Sequence, residues 1–246
     1  MTTTEPDQAA ADAARDFAQR LVAHWQAALG SRLLGVYLIG SLAHGGFSHR
    51  YSDVDMAVIT TDGLSADVIE RVRRGALALS ADWGGKLSVF WADRAFSIGR
   101  FPPLDRLDYL DRPRVLMERE RALPPRPTLA EIRDYLRGAP FGNWAERSRQ
   151  FAAANALDPK DRKAYLRALL YPARFCCAYL TGQMTSNDDA VAFLRRSAPQ
   201  GLDVELVERA LQCRKAAADP DSLFPARTAL PVQVNACAAL LTEQAA

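Results

Sequence analysis

Asp53 and Asp55 are separated by one residue at the start of the apolar run that ends at Thr60. Side chains alternate along a strand, so a strand beginning there sets both carboxylates on one face. Paired carboxylates without a basic neighbour repel each other, and a hard divalent cation such as Mg2+ relieves that repulsion. Upstream, Gly40 and Ser41 close another apolar run over residues 33–39. A glycine at that point lets a second group approach the backbone closely. Ser41 adds a hydroxyl, and the amides of such a turn suit an anion such as phosphate. A phosphate-accepting turn facing a paired-carboxylate metal site is equipment for phosphoryl or nucleotidyl transfer. Gly40 and Ser41 are therefore the candidate phosphate-positioning residues, and Asp53 and Asp55 the candidate catalytic and metal-binding ones.

The elements that must hold these residues are legible as patterns. Residues 33–39 are apolar without a break, which predicts a strand covered on both faces. Residues 54–60 give a second strand, 86–91 a third with β-branched and aromatic character, and 115–117 a weaker fourth. Phe17, Leu21, Val22, Trp25 and Leu29 recur at helical steps over residues 12–29, and Gly30 stops that helix. Residues 67–80 have similar spacing. Pro124, Pro125 and Pro127 then form a stiff hinge, and almost everything after it is helical. Thr128 with Glu131 makes a capping box, and Asn143 with Glu146 offers another helix start. A long helix over 160–180 carries Pro172 as a kink and ends at Gly182, followed by helices over 187–197, 203–217 and 231–243. The expected class is α+β: a mixed sheet with flanking helices over residues 1–123, then an α-helical bundle over 124–246.

Composition narrows the function. The 246 residues are 49% hydrophobic and 24% charged, the balance of a globular protein. A net charge of +2 gives no reason to expect nucleic acid or a membrane surface as partner. Cys176, Cys177, Cys213 and Cys237 have neither zinc-site nor secreted-disulfide spacing. No apolar stretch approaches the roughly 18 residues that would span a bilayer, and the amino end from Met1 to Asp16 is polar, so the expected address is the cytoplasm. His44 and His49 lie in the loop before Asp53 and are expected in solvent.

Gly40-Ser41, the intervening loop and Asp53-Val54-Asp55 resemble the signature of the polymerase-β-type nucleotidyltransferase superfamily. The stretch from Leu169 to Gly182, with Arg174 among aromatic residues and a Thr181-Gly182 end, is similar to the signature helix of the aminoglycoside adenylyltransferases that modify streptomycin and spectinomycin. That resemblance covers nearly the whole chain, as pattern more than as letters. It implies an N-terminal nucleotidyltransferase domain and a helical substrate- and nucleotide-binding domain. It also implies Mg2+-dependent transfer of AMP from ATP to a hydroxyl of a small acceptor, an aminoglycoside in the family. By the same resemblance Arg174 contacts the ATP phosphates across the domain cleft, and Asp161 is the counterpart of a substrate-binding aspartate.

The resemblance has gaps. The family carries a glutamate on its third strand as general base, and the matching position here falls on Lys86, with Asp82 and Asp93 on either side of the strand. A protonated lysine cannot take a proton from the acceptor. Asn187 stands where the family has a nucleotide-holding lysine, and the helical half, Asp188 and Asp189 included, is not acidic enough to suggest a polycationic ligand. Two other outcomes therefore stand beside the aminoglycoside: the same chemistry on a different acceptor, and a nucleotide-binding homologue with little or no turnover.

Overall fold

In the computed structural model residues 5–243 are described, so the polar amino end read from Met1 lies partly outside the described residues. The unbroken apolar run becomes β1, Leu33–Ile39, with every residue buried. β2, Val54–Thr60, pairs antiparallel with β1, and β3, Leu87–Asp93, pairs parallel with β2. The two-residue β4, Gly99–Arg100, and β5, Arg114–Glu118, complete a mixed sheet in the order β4-β3-β2-β1-β5. The third strand thus starts one residue later and runs two residues further than expected. The weak run at 115–117 is the β5 edge beside β1.

Alternation along the strands builds a core on each face of the sheet. On one face Val36, Leu38, Val54, Met56 and Val58 pack with Phe17, Leu21 and Trp25 of α1, Glu5–Leu29, and with Ile69 and Val72 of α3, Ala66–Leu77. At about 25 cal/mol per Å2 of apolar surface removed from water, this is the main stabilising term of the sheet unit. On the other face Tyr37, Ile39, Ala57 and Ile59 pack with Tyr109. Tyr109 belongs to α5, Pro103–Asp111, a helix that was not expected and that starts with a proline in its first turn. Its ring meets Tyr37 edge-on at 5.0 Å, and its hydroxyl donates to the Ala122 carbonyl at 2.7 Å.

The chain forms two compact units, Met1–Pro127 and Thr128–Ala246. The second is helical throughout: α6 Leu129–Arg137, α7 Ala139–Ala153, α8 Arg162–Thr181, α9 Asn187–Ser197, α10 Val204–Lys215 and α11 Leu230–Glu243. Thr128 and Glu131 form the reciprocal capping box. α7 begins before Asn143, with Pro140 in its first turn. α8 runs through the buried Pro172 and ends at Gly182, which takes the left-handed conformation at φ 69°. Among the described residues no helix is long and apolar enough to cross a membrane.

Candidate active site

The site begins where β1 stops. Ile39 pairs with Asp55 across the antiparallel ladder, and Gly40 follows at φ 70°, ψ −161°, a backbone region reserved almost entirely for glycine. A Cβ at Gly40 would lie 2.5 Å from Asp55 Oδ2, so the glycine also makes room for the carboxylate. The chain then turns into the single-turn α2, Ser41–His44, whose Ala43 and His44 amides donate to the Gly40 carbonyl at 3.0 and 3.2 Å. Ser41 Oγ donates to Ser52 Oγ at 3.1 Å, and the same Ser52 oxygen accepts from the Ser48 amide at 2.9 Å. Phe47 packs against Trp83 at 6.0 Å. The loop between the turn and the aspartates is thereby a folded unit, tied down at three points.

Strand alternation sets Asp55 on the face opposite Val54 and Met56. Val54, Met56 and Val58 enter the core under α1, while Ala57 and Ile59 face α5. Asp55 shares the α5 face and is half-buried, the one residue of β2 not fully enclosed. Asp53, two residues earlier, is half-buried just before the strand. The structure therefore brings Asp53, Asp55, Gly40 and Ser41 to one edge of the sheet.

Two further side chains reach the turn without having been anticipated. Asp108 of α5 is 4% exposed and accepts from the Gly40 amide at 2.5 Å through Oδ2. Its other oxygen meets His44 Nε2 at 3.2 Å. That contact sets a proton on Nε2 and leaves Nδ1 buried without a partner. His44 is thus an internal brace, not the solvated histidine expected from its loop position. Asp108→Ala should lower stability by about 2–4 kcal/mol, because the Gly40 amide and His44 Nε2 both lose a buried charged acceptor. Asp108→Asn, which keeps an acceptor and a compact shape, should lose less. Urea unfolding of both variants against the parent checks the order; equal stability of parent and Ala variant would contradict the bracing role.

Beside Asp55 the neighbouring strand supplies no carboxylate. In the parallel register Asp55 pairs with Ser88, while Lys86 lies before β3. The Lys86 ammonium donates to the His49 carbonyl at 2.8 Å and sits 5.0 Å from the Trp83 ring centroid, so it anchors the loop. Asp82 is exposed on the single-turn α4, Ala81–Gly84. Asp93 pairs with Thr60 at the far end of the ladder from Asp55, roughly 16 Å along the strand at about 3.3 Å per residue. Burial pushes the Asp93 carboxyl up, but hydrogen bonds from the Ser97 hydroxyl and the Ile98 and Ser97 amides outweigh it and hold the group below the usual range. Its work is to hold the turn into β4.

The remaining expected residues lie within the helical unit. Arg174 is exposed on α8, with Nη2 3.3 Å from the Met184 sulfur. Asp161 is half-buried at the start of α8, 4.0 Å from Arg147. Asp188 pairs with Lys215 at 2.5 Å, and Asp189 accepts from the Ser186 hydroxyl at 2.8 Å.

Among the described residues, no group of three or more His, Cys, Asp or Glu side chains converges as a metal cage. Asp53 and Asp55 offer hard oxygen donors from one face, which suits Mg2+, an ion commonly held by one or two carboxylates together with substrate phosphates. No family model matches the chain, and no curated relative matches its sequence. Among solved structures its fold is similar to that of the spectinomycin adenyltransferase from Enterococcus faecialis, determined with ATP and spectinomycin. The TM-score is 0.64 at 13% identity, and the match covers 92% of this chain and 98% of that one. At that identity the likeness shows the fold alone, a mixed sheet with flanking helices followed by a helical C-terminal region.

Proposed function

We propose that this chain is a nucleotidyltransferase that moves AMP from ATP to a hydroxyl of a small acceptor, releasing pyrophosphate. The observation that carries this reading is the Asp53–Asp55 pair set against the glycine-opened turn at Gly40 and Ser41. Asp53 and Asp55 hold Mg2+, which when bound neutralises charge on the transferring phosphate. Ser41 and the turn that follows Gly40 position the phosphates, and Arg174 adds a cation toward the triphosphate, a role carried over from the family resemblance. The folded loop fixes Ser41 relative to the aspartates before nucleotide arrives, which is where positional catalysis gains.

Two observations bear on the acceptor. The structural likeness to a spectinomycin-binding enzyme supports an aminoglycoside. The basic surroundings of Asp161 support a different acceptor. Pyrophosphate release from ATP and Mg2+ across a panel of hydroxylated acceptors tests the reaction, and release with none of them while ATP still binds identifies a binding protein.

That last outcome has one observation in its favour, the serine beside Asp55 where a general base would help. Ser88→Glu puts a carboxylate there, and general-base help is worth roughly a hundred- to ten-thousand-fold. Ser88→Glu should raise turnover at least about tenfold if proton removal limits the parent. Lys86→Glu should not, because it removes the ammonium from the His49 carbonyl. Initial rates at saturating Mg2+ compare the three proteins; a gain confined to Lys86→Glu would overturn this assignment of strand positions.

A further inference from the structure

Asp108 is where α5 meets the turn that follows β1. Burying a carboxylate costs free energy that its hydrogen bonds must offset, and Asp108 is 4% exposed. Both of its oxygens are directed at one short segment. Oδ2 accepts from the Gly40 amide at 2.5 Å, and Oδ1 meets His44 Nε2 at 3.2 Å. Gly40 immediately precedes α2 and His44 is its last residue, so a single carboxylate spans the turn from end to end. Two contacts at opposite ends fix the orientation of the turn as well as its distance from α5.

Both ends of this strut are anchored. α5 is held on the sheet by the fully buried Leu107 and Tyr109, with the Tyr109 ring edge-on to Tyr37 at 5.0 Å and its hydroxyl on the Ala122 carbonyl at 2.7 Å. From the other side Ser41 Oγ donates to Ser52 Oγ at 3.1 Å. Ser41 therefore sits between a strut from α5 and a tie from the loop before Asp53. Gly40 stands equally close to Asp55, since a Cβ there would lie 2.5 Å from Oδ2. A change at Asp108 thus alters the spacing of Ser41 and Asp55 while replacing neither. Phosphoryl chemistry tolerates little of that: a misplacement of about 1 Å costs on the order of a hundredfold in rate.

We propose that Asp108, acting through Gly40 and His44, is a positioning residue for the nucleotide: it sets Ser41 against Asp55 before ATP arrives. The proposal rests on the transferase reading. Calorimetry with Mg2+-ATP and steady-state rates, on the full chain below every melting temperature, compare four variants with the parent. Asp108→Ala should bind Mg2+-ATP at least about tenfold more weakly, as loss of charged hydrogen bonds implies. Its kcat/KM for ATP should fall about a hundredfold, with the acceptor KM unchanged. Asp108→Asn keeps an acceptor for the Gly40 amide and His44→Ala keeps the carboxylate on it, so both should fall between Asp108→Ala and the parent. Tyr109→Phe removes a hydrogen bond from the same helix without touching the turn, and should keep the parent's ATP affinity. If Asp108→Ala does not fold, the order of the other three decides. Parent-like ATP affinity in the folded Asp108 and His44 variants would overturn the proposal. Tighter binding in Asp108→Asn would overturn it by showing that the carboxylate repels phosphate, and an equal loss in Tyr109→Phe would reduce Asp108 to a structural role. If the transferase reading alone fails, the parent binds Mg2+-ATP without releasing pyrophosphate and the order of affinities stands. A parent that binds no ATP overturns both.

Discussion

Asparagine in place of Asp55 should leave the protein folded and lower AMP transfer about a thousandfold, the scale of several kcal/mol of lost charge stabilisation. The substitution keeps the shape of a half-buried side chain beside Gly40 and removes one of the two charges proposed to hold the metal. Asp53→Asn should behave alike, since both carboxylates are proposed to serve one ion. The thermal midpoints should stay close to the parent's, which separates this loss from unfolding. Steady-state rates with Mg2+ and ATP, alongside thermal melts, check both parts. Parent-like turnover in either variant would remove the paired-carboxylate site from the account.

Gly40→Ala should damage both fold and function. The backbone at φ 70°, ψ −161° costs a non-glycine residue about 1–3 kcal/mol, and the new methyl carbon would stand 2.5 Å from Asp55 Oδ2. Relief requires Asp55 to swing away or β1 to shift, and either movement separates this carboxylate from the turn proposed to position the phosphates. The expected result is a stability loss of about 2–4 kcal/mol and a fall in transfer of at least about a hundredfold, beyond what instability alone causes below the melting temperature. The contrast with Asp55→Asn is diagnostic: there activity falls without stability, whereas here both fall. Unfolding curves and rates measured on the same preparation distinguish them. An alanine variant as stable and as active as the parent would show that the close approach at Gly40 has no functional weight.

Much of this site is visible in the residues themselves. β1 and β2 match their expected spans because a continuous apolar run bounded by Gly40 at one end and by Asp53 and Asp55 at the other has few alternative conformations. The same alternation that places Val54 and Met56 in the core places Asp55 opposite them, so the shared face follows from pattern alone. α5 is different. Its segment mixes Pro102 and Pro103 with alternating aspartate, arginine and leucine, and turn chemistry hides a helix whose burial rests on Leu107 and Tyr109. Asp108 is one of several acidic residues there, and only the tertiary fold shows that this one is buried on the Gly40 amide. His44 follows the same logic: its enclosure depends on Asp108, a partner 64 positions away. The third strand shows the limit of counting residues. Parallel pairing, set by long-range contacts, puts Ser88 and not Lys86 beside Asp55. In the helical unit, spacing says which side chains share a face of α7 or α8 but not which faces meet.

The central claim is that the α-phosphate of ATP is the one transferred. ATP labelled at the α-phosphate and, separately, at the γ-phosphate, incubated with the protein, Mg2+ and a panel of cationic and anionic hydroxylated acceptors, tests it directly. The account predicts that α-label appears on an acceptor while γ-label leaves in pyrophosphate, and that Asp55→Asn abolishes both. Transfer of γ-label to the acceptor, or α-label transfer that survives in Asp55→Asn, would contradict it.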